Sequence, residues 1–378
     1  MPRPLIILGA SARAAAQSAR RADYEPWCID LFADRDLRRI GTARVCPARD
    51  YPSGMLPLLG HAPVGAPVLL TGAMENYPQV VRAVALERPL LGSSVEAIER
   101  VRDPGALPTL PTTKGLRFCK VRRWGTGALL SMRRYLIKPR RSAGGVGIAR
   151  WSPGQRVDRE HFLQQFVAGV PYSAVFHADG WSATLLGVTE QLIGDAVLGA
   201  VGFRYCGSLG PVELDESARA ALLHLAVQLT QRYDVRGVFG VDLVRDGRGT
   251  FWPIEVNPRY VASIEVIERA LGVALLADHR SHHQRPRQWH GKAIVFAQQD
   301  VETCDLYEHF EDHQIADVPD AEQRVRRGRP ICTVFATGHD REACHDALRE
   351  HAARVHHLCA SRKEASHPPS LEGGAGGG

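Results

Sequence analysis

The sequence predicts a multidomain α/β fold in which a parallel sheet comes first and a region of short strands follows. A strand-helix-strand opening, a series of short apolar runs and a late hairpin support this prediction. With 378 residues, of which 44% are hydrophobic, the chain can bury more than one compact core. We expect domains over residues 1–94 and 95–280, an α/β segment over 289–360 and a disordered tail over 361–378.

The first segment has the pattern of a parallel sheet covered by helices. Residues 4–32 contain two apolar runs that flank a helical stretch. A full dinucleotide-binding fingerprint is not present, because Gly9 is the only one of its three glycines. A later apolar run at 67–70 leads to Glu75 and Asn76. Open α/β sheets bind ligands at the carboxyl ends of their strands, so both side chains are candidates for contact with a substrate. A simple loop with a helix cap is the alternative.

A glycine-rich loop follows a predicted strand at residues 135–139. The strand carries Lys138, and the loop RRSAGGVGI contains Gly144, Gly145 and Gly147. Three glycines within four positions let the backbone approach phosphate oxygens and direct N–H groups at an anion. Hairpin turns use the same residue types, so the loop alone does not establish an anion site. The lysine before it strengthens that interpretation.

Short apolar runs at 174–177, 184–188 and 196–201 predict further strands. The glycine-flanked segment 202–208 after them is predicted to be a loop, and it carries Arg204. We predict that Arg204 contacts a substrate carboxylate. A surface arginine without a ligand is the alternative.

The hairpin GVFGVDLVRDGRGTFWPIEVNPR, residues 237–259, places acids within apolar strands. Glu255 and Asn257 share one sheet face, and a loop of about four residues puts Asp242 on that face too. Two carboxylates and an amide oxygen are costly to bury unless a hard cation such as Mg²⁺, brought by substrate phosphates, compensates them. Arg259 follows the strand and is free to meet an anion. A solvent-facing hairpin with incidental acids is the alternative.

Composition argues against several classes of function. The net charge is +6, but the basic residues are spread along the chain without an aromatic-interleaved block, so we expect no nucleic-acid partner. No stretch reaches the roughly 18 apolar residues of a membrane span, and residues 1–8 do not form a signal peptide, so we expect a cytoplasmic protein without a membrane partner. The eight cysteines lack paired spacing and are expected to be reduced thiols.

Four segments together resemble the ATP-grasp superfamily: IKPRRSAGGVGI, QQFVAGVPYS, GVDLV and IEVNPR, in that order. The resemblance covers about residues 95–276, and the segment before it is similar to the domain that precedes ATP-grasp modules. It implies an α/β fold of the ATP-grasp type, in which a Rossmann-like domain comes first. A small lid over about residues 108–170 and a larger antiparallel-sheet subdomain then follow.

The resemblance also implies roles for residues within these segments. Lys138 pairs with nucleotide phosphates, residues 165–167 form a hinge along adenine, and Arg259 faces the transferred phosphoryl group. The nucleotide-binding residues implied are Lys138, Ser142, Gly144, Gly145, Gly147, Gln165, Phe166 and Val167. Asp242 and Glu255 are implied to hold one Mg²⁺ or Mn²⁺ ion, and Glu255 with Asn257 the other.

Two departures from the family pattern stand out. Many relatives have a glutamate where this chain has Gln165. The phosphate-contacting lysine that usually precedes the glycine loop has no clear counterpart, and Lys114, Lys120 and Arg102 are alternatives for its role.

The implied activity is an ATP-dependent carboxylate-amine ligase that joins a small-molecule acid to an amine through an acyl phosphate. A phosphotransferase acting on a hydroxylated acceptor and a nucleotide-binding protein without turnover are the alternatives. The segments VRDP, GAMEN and NPRYVASIE are most similar to ATP-grasp proteins associated with methanopterin- or methanofuran-type one-carbon cofactors. A homodimer is the expected alternative to a monomer.

Overall fold

The computed structural model describes residues 2–122, 135–152, 154–277, 279–280 and 287–365, with side chains to residue 360. A four-stranded parallel sheet in the order β3-β2-β1-β4 opens the chain. Its strands are β1 (Arg3–Leu8), β2 (Tyr24–Asp30), β3 (Thr42–Val45) and β4 (Val68–Leu70). The helices of this part are α1 (Arg13–Arg21), α2 (Arg35–Ile40), α3 (Met55–Leu59), α4 (Pro78–Glu87) and α5 (Val95–Arg102), with short 3₁₀ helices at Met74–Asn76 and Leu107–Thr109.

Strand β1 is apolar on both sides because both faces of the parallel sheet are covered. Leu5 and Ile7 pack in the cluster that contains the alanines of α1. Ile6 and Leu8 pack in a second cluster with Val80 of α4. A continuous apolar run is the pattern expected of a strand that is buried on both faces.

A second, smaller sheet forms a lid-like layer in the order β5-β8-β6-β7. Its strands are β5 (Val121–Arg122), β6 (Tyr135–Pro139), β7 (Ala149–Arg150) and β8 (His161–Gln165). Tyr135, Ile137, Trp151 and Leu163 form its own small core. Residues 123–134, which fall inside the predicted lid, lie outside the described residues.

The largest sheet has eight strands in the order β13-β12-β9-β10-β11-β14-β18-β16, and neighbouring strands are antiparallel. Its strands are β9 (Val170–Ala178), β10 (Ala183–Ile193), β11 (Tyr205–Gly210), β12 (Gly237–Arg245), β13 (Phe251–Asn257), β14 (Trp289–Phe296), β16 (Ile315–Ala316) and β18 (Pro330–Gly338). Strands β15 (Val301–Glu302) and β17 (Arg324–Val325) form a separate pair, and a 3₁₀ helix spans Leu306–Glu308. The segment predicted at 289–360 thus continues this sheet with β14, β16 and β18.

Helices cover both faces of the large sheet. They are α6 (Glu216–Tyr233), α7 (Ser263–Leu271) and α8 (Arg341–Ala365). Phe239 of β12 packs with α6, whereas its neighbour Val238 packs with α7 and the parallel-sheet domain. The strand therefore presents alternate residues to opposite layers, and the face that looks toward α7 is the one that carries the candidate site.

The predicted strand at residues 196–201 was wrong. The structure has turns there, in which the backbone N–H of Val197 donates to Asp195 Oδ1 at 3.0 Å. Gly199 adopts a φ of +75°, which is incompatible with a strand. The strand lies later, at Tyr205–Gly210, inside the segment predicted to be a loop. The run at 196–201 is apolar, but it forms turns because Asp195 accepts from the backbone of Val197 and Gly199 has a positive φ. Neither feature appears as a periodic pattern in the sequence.

Helix α8 is 25 residues long and continues to Ala365. The predicted disordered tail is therefore helical over residues 361–365, and residues 366–378 lie outside the described residues. Neither α8 nor another helix in the described part of the chain combines the length and apolar character that crossing a lipid bilayer requires.

A buried charge cluster joins the parallel-sheet domain to the large sheet. Arg13, at the start of α1, donates to Glu265 of α7 and to Asp317, with Nη2–Oδ2 at 2.9 Å. Lys292 of β14 donates to the same Glu265 at 2.7 Å. Arg13, Glu265 and Lys292 are each at most 4% exposed. Each charge is matched, which is what allows this cluster to be buried.

Asp34 lies beside this cluster, and its raised pKa predicts that the stability of the protein depends on pH. Burial first, and then the charges of Asp317 and Asp30, raise its pKa to about 8. Because the native state holds this proton more tightly than the unfolded state, stability declines as pH rises from the unfolded pKa toward 8. For Asp34→Asn we expect the gain in free energy of unfolding at pH 8 to exceed that at pH 5 by at least about 1.4 kcal/mol, one pKa unit.

Urea unfolding of both proteins at the two pH values measures this difference. Asp320→Asn, at an exposed ion pair with Arg38, is the control and should show no such trend. An Asp34→Asn effect that is equal at both pH values would contradict the assignment.

Candidate active site

A cavity of about 770 Å³ lies between the lid-like sheet and the large sheet. The four segments that the sequence singled out all contribute to its wall. Lys138 comes from β6, residues 165–167 follow β8, and Asp242 and Glu255 face it from β12 and β13. Arg259 closes one side. The fold thus brings together residues that are up to 121 positions apart, from 138 to 259.

The register of the β12–β13 hairpin places the two acids opposite each other. Asp242 pairs with Glu255 and Gly240 with Asn257. The loop between the paired Arg245 and Phe251 is one residue longer than expected, which alone would shift the register. A β-bulge between Asp242 and Leu243 absorbs the extra residue and restores the shared face.

Glu255 is surrounded by cations. The guanidinium of Arg102 donates to its Oε1, and Lys138 Nζ lies 3.9 Å from its Oε2. Burial would raise the pKa of Glu255, but the charges of Arg102 and Lys138 outweigh it and lower the pKa to about 2. Glu255 is therefore a carboxylate at neutral pH.

Asp242 has a different environment. Its Oδ2 accepts from Asn257 Nδ2 at 3.0 Å, and its Oδ1 accepts from Gln191 Nε2 at 3.0 Å. Burial and the negative charge of Glu255 raise its pKa to about 6. Two neighbouring carboxylates with separated pKa values indicate a site that gains from additional positive charge.

The Arg259 side chain donates to three residues, of which one is Tyr260, whose carbonyl accepts from Nη1 at 3.1 Å. Its Nε and Nη2 donate to Glu75 Oε2 and Oε1 at 2.8 and 2.9 Å, a bidentate pair. Its Nη2 also donates to Asn257 Oδ1 at 3.2 Å. Glu75 is 3% exposed, so this pair is shielded from water. Arg259 is thereby fixed beside the acids of the hairpin.

Arg102 lies on the other side of the acids. Besides Glu255 it contacts the amide oxygen of Asn76, with Nη2–Oδ1 at 2.9 Å, and the carbonyl of Val256 at 3.2 Å. Of the three alternatives for the missing cation, Arg102 is the one that lies at the acids. Arg102 lines a smaller neighbouring cavity that shares Lys138 and Glu255 with the first. Lys114 is exposed and lines neither of these two cavities, and Lys120 pairs through its backbone with Gln165 of β8.

The glycine loop packs against the large sheet. Gly144, Gly145 and Gly147 all have positive φ, at 59°, 75° and 77°. A Cβ on Gly145 would lie 1.9 Å from the carbonyl oxygen of Phe203, so this position has no space for a side chain. The backbone N–H of Tyr205 donates to the carbonyl of Gly144 at 3.0 Å. The loop therefore reaches across the cavity to the start of β11.

Ser142 anchors the near end of the same loop. Its hydroxyl donates to the carbonyl of Val146 at 2.6 Å, which closes a tight turn. Its own carbonyl accepts from Asn76 Nδ2 at 3.0 Å. The loop is thus connected to the carboxyl end of β4, where Asn76 resides.

Comparison with known proteins identifies the fold of this architecture. A family profile described as an ATP-grasp domain matches residues 124–263, a range that contains β6, β7 and β8 of the lid-like sheet and β9 to β13 of the large sheet. The chain has the ATP-grasp fold. The predicted fold class is confirmed: a parallel sheet at the N-terminus precedes an ATP-grasp domain with a large antiparallel sheet. The residue boundaries proposed for the domains stay predictions.

Solved structures share this ATP-grasp architecture over nearly the whole chain. An L-amino acid ligase from Bacillus licheniformis has a TM-score of 0.63 at 16% identity, covering 93% of this chain and 97% of its own. A biotin carboxylase from Campylobacter jejuni has 0.68 at 14%, covering 91% and 89%. An N5-carboxyaminoimidazole synthetase from Staphylococcus aureus has 0.63 at 13%, covering 93% and 97%. A search of curated proteins finds no match.

Gln165, at the end of β8, pairs with the backbone of Lys120 just before β5. Gln165 Oε1 accepts from the backbone N–H of Lys120 at 3.1 Å, so the side chain that replaces the usual glutamate is engaged within the protein. The ring of Phe166 stacks under the guanidinium of Arg150 at 3.4 Å, and Val167 lines the cavity. The main chain of residues 165–167 remains positioned along the cavity wall.

Arg204 does not take the predicted position. Its guanidinium lies 3.8 Å from the ring centre of Phe296 and does not line the cavity, whereas Phe203 and Tyr205 do. The reason is that the chain enters β11 at Tyr205, and alternation along an extended chain directs Arg204 to the opposite side. The expected contact between Arg204 and a substrate carboxylate stays a prediction, and its position against Phe296 does not support it.

Several residues of the cavity wall were not among the predicted site residues. Gln164 accepts from Lys138 Nζ at 3.2 Å and donates to the carbonyl of Ile254 at 2.9 Å, thereby fixing the lysine. At another end of the cavity, Glu190 forms a bidentate pair with Arg341 of α8. Asp195 similarly holds His345 and Arg349. Gln164 belongs to the segment QQFVAGVPYS, but its contact with Lys138 was not predicted. Glu190 and Asp195 belong to no motif, and their contacts arise from the packing of α8.

The donor set of the hairpin fits a magnesium ion carried by a nucleotide. Asp242, Glu255 and Asn257 offer two carboxylates and an amide oxygen on one face. Mg²⁺ is typically held by one or two carboxylates together with substrate phosphates. Within the described ranges, no group of three or more His, Cys, Asp or Glu side chains is arranged to bind a metal by itself.

Proposed function

We propose that this chain is an ATP-dependent carboxylate-amine ligase that acts through an acyl phosphate. The observation that carries the proposal is the convergence of Lys138, Arg259 and the Asp242–Glu255 pair on one cavity beneath a glycine loop. Two of the similar structures are named as an L-amino acid ligase and an N5-carboxyaminoimidazole synthetase, which supports the same reaction class here.

The nucleotide would lie along the cavity from the hinge to the hairpin. Residues 165–167 would offer main-chain groups to adenine, and Lys138 with Arg102 would neutralise the phosphates. The glycine loop at 142–147 would cover them with backbone N–H groups. The biotin carboxylase from Campylobacter jejuni is a complex with β-γ-ATP, and a synthetase structure from Staphylococcus aureus contains ADP, which supports this placement.

Asp242, Glu255 and Asn257 would hold Mg²⁺ or Mn²⁺, which when bound offsets the negative charge of the transferring phosphoryl group. A carboxylase domain from Hydrogenobacter thermophilus with this fold is described with MgADP, in line with such a role. The protein's own share is to keep both carboxylates ionised and oriented. Arg102 and Lys138 do this for Glu255, and Asn257 and Gln191 orient Asp242.

The reaction has two steps. A carboxylate oxygen of the acid attacks the γ-phosphorus of ATP, the bond from that phosphorus to the β–γ bridging oxygen breaks, and ADP leaves. The amine nitrogen then attacks the acyl carbon, phosphate leaves and the nitrogen loses a proton. Arg259 and Lys138 stabilise charge that develops on the phosphoryl oxygens, so positioning and electrostatics supply the catalysis.

A hydroxylamine trap tests the proposal. Purified protein is incubated with Mg²⁺, ATP and pooled small acids, first with amines and then with hydroxylamine in their place. A ligase releases ADP and forms an acyl hydroxamate. A phosphorylated product that is stable to hydroxylamine would instead indicate the phosphotransferase, and nucleotide binding without ADP release would indicate a binding protein. The similarity to methanopterin- or methanofuran-associated proteins suggests which acids and amines to include first.

Gly145→Ala tests the proposed phosphate-covering loop. The added methyl group would collide with the Phe203 carbonyl, so the loop must move from its place over the cavity. We expect the Kd of the Mg–ATP complex to rise at least about tenfold, the equivalent of 1.4 kcal/mol. Gly144→Ala has open space at its Cβ and introduces only left-handed strain of about 1 kcal/mol. Calorimetric titration compares them, and equal losses in the two variants would contradict the loop's role.

A further inference from the structure

We propose that the 3₁₀ turn Met74–Asn76 positions two different arginines, each of which acts on a different part of the bound nucleotide. Glu75 orients Arg259 toward the transferred phosphoryl group. Asn76 orients Arg102 and the glycine loop toward the rest of the nucleotide. Both are positioning residues, and the inference rests on the proposed nucleotide site. It replaces the prediction that these two side chains contact a substrate directly.

The turn is rigid enough to serve this purpose. It follows β4, and Met74 is fully buried in the core beneath it. Ala73, just before it, adopts a left-handed φ of +74°, a conformation that a non-glycine residue keeps only when its surroundings impose it. Glu75 and Asn76 are 3% and 7% exposed. Both side chains therefore project from a fixed backbone into the protein.

Glu75 determines the orientation of Arg259. The bidentate pair uses both carboxylate oxygens and two nitrogens of the planar guanidinium, which defines its plane as well as its place. Asn257 contributes one further contact at 3.2 Å. In Glu75→Gln one oxygen becomes a donor that faces another donor, so the guanidinium loses its orientation while its charge persists.

Asn76 links a cation to the glycine loop. Its amide oxygen accepts from Arg102 at 2.9 Å, and its amide nitrogen donates to the carbonyl of Ser142 at 3.0 Å. Only a side chain with both an acceptor and a donor makes the two contacts. Asn76→Ala removes both, and Asn76→Asp keeps the acceptor but places a second acceptor against Ser142.

The two contact sets diverge from adjacent residues, so they predict separable effects. Arg259 is placed for the γ-phosphoryl group, which ATP has and ADP lacks. Arg102 and the loop at Ser142 are placed for phosphates that both nucleotides share. If the turn had only a general structural role, both variants would bind both nucleotides more weakly. This outcome distinguishes a structural role from the proposed positioning roles.

Calorimetric titration with the magnesium complexes of ADP and of ATPγS tests the inference without requiring turnover. For Glu75→Gln we expect the Kd of ATPγS to rise about tenfold or more while that of ADP stays within about twofold. For Asn76→Ala we expect both values to rise about tenfold or more, with Asn76→Asp similar. Glu99→Gln on α5 is the control. It removes an exposed ion pair with Arg82 of α4 and should change neither Kd.

Each outcome bears on one proposal. Equal losses for both nucleotides in Glu75→Gln, or an unchanged ADP affinity in Asn76→Ala, would overturn the inference. If the wild type binds both nucleotides and the two variants show the expected difference in affinity, but no hydroxamate forms, the inference stands and the proposed ligase activity is contradicted. Wild-type protein that binds neither nucleotide overturns both.

Discussion

Glu255→Gln is expected to reduce ADP release by about 10³-fold, the loss that removal of one essential electrostatic group typically causes. Glu255 lies opposite Asp242 and receives both Arg102 and Lys138. The amide would remove a charge from the proposed metal-binding pair and leave two cations facing a neutral group. Both changes act on phosphoryl transfer, where charge neutralisation is the main contribution of the protein.

Initial-rate measurements of ADP release, with a thermal unfolding curve for each protein, check this result. Cooperative unfolding is expected to persist, because the side chain lies at a cavity wall. Arg248→Gln is the matched control: it changes one charge in the exposed loop of the same hairpin and should leave the rate unchanged. A Glu255→Gln variant with wild-type rates would remove the metal assignment.

Glu265→Gln is expected to lower the free energy of unfolding by about 3–5 kcal/mol, the cost of breaking a buried ion pair from one side. Glu265 is 2% exposed and receives Arg13 from α1 and Lys292 from β14. Its loss leaves Asp317 and Asp36 as the acids that contact Arg13 and deprives Lys292 of the carboxylate that it contacts. The variant should weaken the junction between the parallel-sheet domain and the large sheet.

Denaturant unfolding followed by circular dichroism measures this loss. Glu99→Gln makes the same chemical change at an exposed pair with Arg82, where about 0–1 kcal/mol is expected. If the two variants lost equal stability, the buried cluster would not have the role assigned to it.

Sequence patterns predicted the parts of the fold that leave a local signal. The continuous apolar runs of β1 and β2 follow from burial of both sheet faces, and the paired acids of the hairpin follow from alternation along strands. The hairpin also shows the limit of such counting. The loop differed from its expected length, and the side chains nevertheless met because the bulge beside Asp242 compensated. This bulge is a feature of the pairing of β12 with β13, and it leaves no local pattern in the sequence.

Contacts that arise from tertiary packing could not be read from the chain. Arg102 was one of three equivalent cations in the sequence, and only the placement of α5 beside β13 selects it. Arg204 seemed well placed on a glycine-flanked loop, yet the start of β11 directs it to Phe296. Arg341 reaches the cavity wall only because α8 packs back onto the sheet.

The most direct test of the account is electron paramagnetic resonance of Mn²⁺, which occupies the same oxygen-donor sites as Mg²⁺. Mn²⁺ is titrated into the protein with saturating ATPγS, and free Mn²⁺ is quantified for the wild type, Asp242→Asn and Glu255→Gln. We predict that the wild type retains Mn²⁺ in a ternary complex with the nucleotide and that both variants release it. Equal retention by all three proteins would contradict a metal–nucleotide site on this hairpin.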